Sequence, residues 1–158
     1  MITLFSLLLA AQPLEAELGF SASMSNPALA LTGRARRGVS SGWEARLEWN
    51  PWFSFAGFEA VQAGALNIGA GWYKRYFMNR VRFVASSGAS VLLFDTPIDN
   101  KGSVGAFLSI EPALLSWPLR RGTLIIDPGS VHLIMPVLQG LPLIHRQFRH
   151  GIAWAFSW

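Results

Sequence analysis

The side chains best suited to covalent chemistry in this sequence are a serine and a histidine two positions apart, Ser130 and His132. A serine beside a histidine is the start of a hydrolase site, because the imidazole can accept the hydroxyl proton. Residues two apart on a strand lie on one face, and we expect this face to point into the fold. No acidic residue accompanies the pair in a known motif. The sequence therefore favours a protein without enzymatic activity and keeps catalysis as an alternative.

Other patterns that could support catalysis or cofactor binding lack their usual context. Residues 38–42, GVSSG, match the G-x-S-x-G expression, but they lead from a loop into a strand and not into a strand-to-helix elbow. The three histidines do not have the close spacing of a zinc site, and the sequence contains no cysteine. No glycine-rich phosphate loop follows a strand. We predict no metal site and no cofactor.

The composition is that of a membrane protein without a membrane-spanning helix. Of 158 residues, 51% are hydrophobic and 14% are charged, whereas soluble chains carry roughly one quarter charged residues. No apolar run approaches the about 18 residues that a membrane helix needs. The net charge of +4 is spread over strand ends without a nucleic-acid-binding motif, so we predict no nucleic-acid partner. Strands that turn every second side chain to lipid satisfy these observations.

Alternation of apolar and polar residues with a period of two predicts eight strands. Their ranges are Glu15–Met24, Ser41–Asn50, Val61–Tyr73, Arg80–Asp95, Ser103–Glu111, Arg120–Asp127, Ser130–Leu138 and Arg149–Trp158. Residues 25–40, with their proline, glycines and arginines, are predicted to form one long loop, and residues 95–102 a turn. Asp127-Pro128-Gly129 predicts a tight turn that joins the sixth and seventh strands in a hairpin.

The last ten residues, RHGIAWAFSW, place large apolar side chains on one face of the final strand. Ile152, Trp154, Phe156 and Trp158 alternate with small residues, and the sequence closes on an aromatic side chain. This stretch resembles the closing strand of bacterial outer-membrane β-barrels, in which such residues are an assembly signal read by the barrel-assembly machinery. The resemblance implies an all-β fold, an eight-stranded antiparallel up-and-down transmembrane β-barrel, in the outer membrane of a Gram-negative bacterium.

The first residues have the pattern of an export signal. An apolar stretch from Ile2 to Ala11 is followed by small and polar residues, which is typical of a secretory signal peptide. We expect residues 1–14 to be this signal peptide and residues 15–158 to form a single barrel domain. Cleavage after Ala11, Gln12 or Ala16 fits the pattern, and a buried apolar N-terminal strand is the alternative.

Side-chain size predicts which face of the barrel lies inside. The interior of an eight-stranded barrel is only wide enough for ordinary side chains, so the tryptophans belong outside, in lipid. Glu44, Arg46, Arg82 and Glu111 fall on the opposite face and are predicted to form an interior polar plug. Buried charges persist only when they are paired, and a narrow barrel filled in this way should not conduct ions.

Basic residues are predicted to form a collar at the outer end of the barrel, with both termini at the periplasmic end. The residues that we expect to contact lipopolysaccharide phosphates are Arg34, Arg36, Arg37, Lys74, Arg75, Arg120, Arg121, Arg146 and Arg149. Arginine can pair with a phosphate through two hydrogen bonds, which makes this contact chemically reasonable. The alternative is a solvated cationic rim without a specific lipid partner.

These features favour a small, non-enzymatic outer-membrane barrel that acts as a structural or surface-interaction protein. Outer-membrane lipid, with lipopolysaccharide among its components, is the expected partner, together with the barrel-assembly machinery during biogenesis. Two alternatives remain open. One is a lipid A-modifying acyl hydrolase or acyltransferase on the same barrel, and the other is a soluble periplasmic lipocalin-like lipid carrier.

Overall fold

The barrel strands follow one another along the chain with short connections. A computed structural model describes residues 14–23, 28–55, 58–94, 104–138, 141–142 and 144–157. The strands are β1 Leu14–Ser23, β2 Ala28–Arg37, β3 Ser41–Phe55, β4 Phe58–Tyr76, β5 Val81–Phe94, β6 Val104–Leu119, β7 Gly122–Leu138 and β8 His145–Ser157. The pair Leu141–Pro142 adds a two-residue strand against the end of β7.

Each strand pairs antiparallel with its neighbour in the chain, and β8 pairs with both β7 and β1. This last pairing brings Glu15 opposite Ser157 and closes the sheet, so no edge is left with unpaired backbone groups. The predicted fold, an eight-stranded antiparallel up-and-down barrel, is confirmed. Within the described ranges, no helix has the length and apolar character needed to cross a membrane.

The prediction of one long loop over residues 25–40 is wrong, because residues 28–37 form β2. Its arginines led to the loop prediction, since charged residues are rare in membrane strands. Arg34 and Arg36 nevertheless point into the barrel, where Glu17 lies opposite Arg34 in the ladder between β1 and β2. A strand can carry such charges when the neighbouring strand supplies the opposite charge on the same face.

The predicted hairpin at residues 127–129 is also wrong, because the two predicted strands are a single strand, β7, with a bulge. The Asp127 carboxylate accepts hydrogen bonds from the backbone N–H of Gly129 at 3.0 Å and from the Ser130 hydroxyl at 2.6 Å. These bonds hold the extra residue of the bulge without reversing the chain. One strand is gained and one is lost, so the predicted number of eight is correct, although the predicted ranges omit β2, divide β7 and end the strand β6 before its second half.

The bulky apolar side chains face outward, as their size predicts. Trp43 is 71% exposed and Leu18 is 67% exposed, whereas Tyr73 and Phe107 are buried inside. The Tyr73 ring belongs to a small apolar cluster with Val84 and other residues on one side of the interior. The remainder of the described interior is mostly polar, so the apolar surface of this protein is its outside.

The alternating strands define two ends of the barrel. At the end where β1 begins and β8 ends, called here the Leu14 end, the turns are residues 38–40, 77–80 and 120–121. The opposite end, called the Ser23 end, includes the longer connection of residues 95–103. The predicted signal peptide up to residue 13, the predicted turn at residues 95–102 and Trp158 lie outside the described residues.

Candidate functional site

The interior of the barrel contains a network of matched charges. Six arginines and five glutamates of the described strands take part: Arg34, Arg36, Arg46, Arg75, Arg82 and Arg149 with Glu15, Glu17, Glu44, Glu48 and Glu111. Most of these side chains are buried, and a buried charge is tolerated when opposite charges and hydrogen bonds surround it. The network therefore fills the lumen and joins strands that are distant in sequence.

Glu48 lies at the centre of this network. Its carboxylate accepts hydrogen bonds from Arg46 at 2.6 Å, from Asn50 at 2.8 Å and from Asn67 at 2.9 Å. Arg149, on β8, approaches the same carboxylate at 2.9 Å. Glu48 is 1% exposed, and these four partners come from the described strands β3, β4 and β8. This carboxylate ties opposite walls of the barrel together.

A second layer of charges lies nearer the Leu14 end. Glu17 accepts from Arg82 at 2.7 Å and from Arg36 at 2.8 Å. Glu15 lies two residues closer to the Leu14 end on the same strand, and its carboxylate accepts hydrogen bonds from both Arg36 and Arg75. Guanidinium groups that bridge two carboxylates in this way use their planar, forked geometry, which a lysine lacks.

Arg46 and Glu111 connect the two layers. Arg46 donates to Glu111 at 2.5 Å, and Arg34 donates to the same carboxylate at 2.7 Å. Glu44 is less well engaged, because Arg36 and Arg34 lie 3.5 and 3.8 Å from it and its carboxylate accepts no hydrogen bond from the described residues. The two buried glutamates of β3, Glu44 and Glu48, thus have very different surroundings.

The four residues predicted as an interior plug, Glu44, Arg46, Arg82 and Glu111, all lie in this lumen. Sequence reasoning missed Glu15, Glu17, Arg34, Arg36, Glu48 and Arg149 as members of the network. Strand parity could have found several of them, because Glu48 is two residues from Arg46 and Glu17 is in register with the small inward residues of β1. Their partners could not be found, since the paired residues lie far apart in sequence, as Glu48 and Arg149 do.

A small cavity lies beside this network. It is lined by Glu17, Arg46, Glu111 and His132 among others and has a volume of about 30 Å³. This is room for one or two water molecules, which need polar partners of this kind. The cavity is too small to admit a lipid or a sugar.

Ser130 and His132 line the interior, as predicted. The Ser130 hydroxyl oxygen lies 3.0 Å from His132 Nε2, and His132 Nδ1 lies 3.9 Å from Glu48. The Ser130 hydroxyl donates a hydrogen bond to Asp127, and Ser130 and His132 are only 3% and 5% exposed. A nucleophile needs a substrate carbon beside its oxygen, and the adjoining cavity has no space for one. The cluster therefore resembles a structural hydrogen-bond network more than a catalytic site.

The barrel wall beside this cluster is interrupted. The pairing of β6 with β7 stops over residues 111–114 and 127–130 and resumes in the same register on both sides. Pro112 and Pro128 lie in these facing segments, and proline cannot donate to a ladder. His150 Nδ1 contacts the Pro128 carbonyl at 2.5 Å. Side chains thus satisfy backbone groups that would otherwise be exposed to hydrocarbon at this break.

The residues predicted to contact lipopolysaccharide do not form one collar. The structure places Arg34, Arg36 and Arg149 inside the lumen, Arg37, Lys74, Arg75, Arg120 and Arg121 at the Leu14 end, and Arg146 in the half of β8 nearer the Ser23 end. The predicted end is wrong for most of them, because missing β2 reverses the direction assigned to β3 through β6. If the Leu14 end is periplasmic, these cations face the leaflet away from lipopolysaccharide.

The other patterns from the sequence do not form a site. The GVSSG segment at residues 38–42 forms the turn before β3 and the first two residues of that strand. The Tyr73 hydroxyl donates to the carbonyls of Arg37 and Gly38 at 2.8 and 2.9 Å. In the part of the chain that the structure describes, no group of three or more His, Cys, Asp or Glu could hold a metal ion. Ile152 and Phe156 of the predicted assembly signal face outward at the β8–β1 closure.

Comparison with solved structures identifies the fold. Neisserial surface protein A matches 93% of this chain and 96% of its own, with 8% identity and a TM-score of 0.55. The Yersinia pestis outer membrane protein Ail matches 92% and 99%, with 12% identity and a TM-score of 0.47. The outer membrane enzyme PagL matches 90% and 98%, with 9% identity and a TM-score of 0.42. No family model and no curated protein matches the sequence. The chain has the fold of the small eight-stranded outer-membrane barrels, as its sequence pattern predicts.

Proposed function

We propose that this protein is a non-conducting structural barrel of the bacterial outer membrane, exported by a signal peptide at residues 1–14 and acting through its surface. The observation that carries this proposal is the lumen, in which buried arginines and carboxylates are paired across the barrel. An ion that entered would have to displace these pairs, and each displaced charge would lose its partner in a low-dielectric interior. The buried Ser130 and His132 support a structural role over catalysis.

The apolar exterior supports membrane insertion over a soluble lipid carrier. A carrier of the lipocalin type keeps its ligand in an apolar interior, whereas the described lumen is charged and its cavity beside Glu111 holds about 30 Å³. Exposed side chains such as Trp43, Leu47 and Ile68 would face water in a soluble protein. An apolar surface of this extent needs lipid or another protein to cover it.

Conductance in a planar lipid bilayer tests the proposal. We expect the inserted wild-type protein to leave the ion current at the level of the protein-free bilayer. Replacing Arg46 and Glu111 together by alanine removes two buried, paired side chains from the lumen, and we expect brief current steps from this variant. Stable current steps from the wild-type protein would contradict the proposed function.

A further inference from the structure

The Leu14 end carries more cations than acids among the described residues. This cluster of cations, called here the basic rim, consists of Arg37, Lys74, Arg75, Arg80, Arg120 and Arg121. Among the described residues at this end, Glu15 is the carboxylate closest to the mouth, and it already accepts from Arg36 and Arg75. No ion pair within the described strands and turns engages Arg80, Arg120 or Arg121. The mouth of the barrel therefore has an excess of positive charge.

A recess lies inside this rim, between the turn at residues 77–80 and the neighbouring end of β6. It has a volume of about 230 Å³, and its lining includes Arg75, Asn79, Arg80 and Ser116, together with Glu15, whose carboxylate is already paired with Arg36 and Arg75. The backbone N–H of Ser116 donates to the Arg80 carbonyl at 2.7 Å, which fixes the two walls of the recess relative to each other. The recess is smaller than a pocket for a drug-sized molecule, so it suits a single polar group.

Apolar side chains stand next to these cations. Phe77 is 79% exposed, Met78 is 97% exposed and Trp117 is 46% exposed. Phe77, Met78 and Asn79 all have positive φ angles, of 49°, 54° and 66°, a conformation that is costly for residues with large side chains. This turn therefore holds two apolar side chains outward beside the recess. Cations next to exposed aromatic and aliphatic groups are typical of surfaces that lie at a membrane interface.

We propose that the recess at Arg75 and Arg80 binds the phosphate-bearing headgroup of an anionic glycerophospholipid. The acyl chains would follow the outer wall past Trp117, and the headgroup would turn over the rim to meet the unpaired guanidinium of Arg80. A membrane lipid fits better than a soluble anion, because only a lipid also contacts the exposed Phe77, Met78 and Trp117. The proposal rests on the proposed membrane location, and it identifies a ligand for the end opposite the long connection at residues 95–103.

The short turns of the Leu14 end identify the leaflet. Outer-membrane barrels have short periplasmic turns and longer external loops. Residues 38–40, 77–80 and 120–121 are the turns at this end, whereas the other end includes two short connections, residues 24–27 and 56–57, and the longest one, residues 95–103. The site would therefore meet the periplasmic leaflet, where phospholipids are the available phosphate-bearing lipids.

Lipid retention by the folded protein tests the site. Protein purified in a zwitterionic detergent is mixed with phosphatidylglycerol or phosphatidylcholine of the same acyl chains, and bound lipid is counted by native mass spectrometry. We expect tighter retention of phosphatidylglycerol, a loss of about five-fold in affinity for Arg80→Gln, and recovery in Arg80→Lys, because one cation near an anionic headgroup has an effect of this size. Arg146→Gln, an exposed arginine in the opposite half, should change nothing.

Four outcomes would overturn the proposal. Equal retention of the two lipids, or an unchanged affinity in Arg80→Gln that still migrates as a folded barrel, would exclude a headgroup site. Displacement of the lipid by inorganic phosphate alone would identify a soluble anion as the ligand, and preferential retention of lipopolysaccharide would place the rim in the other leaflet. None of these results would alter the bilayer conductance, so they are distinguishable from failure of the proposed function.

Discussion

Glu48→Gln is expected to destabilise the folded barrel by about 3–5 kcal/mol, the usual cost of removing one partner from a buried ion pair. The reason is that Glu48 accepts from Arg46, Asn50 and Asn67 and neutralises Arg149 as well. The amide of glutamine has one acceptor oxygen and no charge, so the buried Arg149 would lose the carboxylate that neutralises it and Arg46 would keep only Glu111. Unfolding in urea, followed by the heat-modifiable migration of the folded barrel on gels, measures the change.

Glu44→Gln is the matched control on the same strand. Glu44 is equally buried, but its carboxylate accepts no hydrogen bond from the described residues and lies 3.5 Å or more from its arginines. Its neutralisation should cost on the order of 1 kcal/mol, because fewer interactions are lost. Equal destabilisation by the two variants would contradict the assignment of Glu48 as the centre of the network.

Gly88→Ala is expected to destabilise the barrel by about 3 kcal/mol or more, which is the upper range for overpacking. A Cβ atom at Gly88 would lie 2.2 Å from the Ile68 carbonyl oxygen, 2.5 Å from Gly69 Cα and 2.8 Å from the Phe107 ring. Two of these neighbours are backbone atoms of β4, so relief requires the two strands to separate. The same urea unfolding experiment measures the effect.

Gly33→Ala provides the control for this prediction. A Cβ at Gly33 would meet its nearest neighbours, on Leu18 and Leu47, at 3.9 Å, which is ordinary van der Waals contact. Its stability should be unchanged or slightly higher, since alanine restricts the unfolded chain more than glycine does. Comparable losses from Gly88→Ala and Gly33→Ala would show that the close approach of β4 and β5 is not what requires glycine.

The architecture could be predicted from the sequence because large apolar side chains that face lipid alternate with small or charged side chains that face the lumen. In β3, Trp43, Ala45 and Leu47 alternate with Glu44 and Arg46, and this pattern alone indicates a strand with one lipid-facing side. The same reasoning failed in β2, where three arginines and a glycine resemble a loop until the opposing glutamates of β1 are known. Pairing between strands supplies that information, and it is not contained in local periodicity.

The location of the basic residues was harder to predict than the fold. In an up-and-down barrel, each missed strand reverses the end assigned to every later turn, so one error at β2 moved Lys74, Arg75 and Arg120 to the wrong end. The false hairpin at Asp127 restored the predicted direction for the second half of β7 and for β8. The number of strands is therefore a weak guide to which surface a charged residue occupies.

The arrangement of an apolar wall around a polar lumen is tested most directly at two adjacent serines. The sequence contains no cysteine, so Ser86→Cys and Ser87→Cys each introduce a single thiol. Ser86 is 3% exposed inside the barrel and Ser87 faces outward. In the folded protein in lipid, a spin label should attach at position 87 and be relaxed strongly by lipid-dissolved oxygen, whereas the thiol at position 86 should react only after unfolding. Labelling at position 86 with protection at position 87 would contradict the arrangement of an apolar wall around a polar lumen.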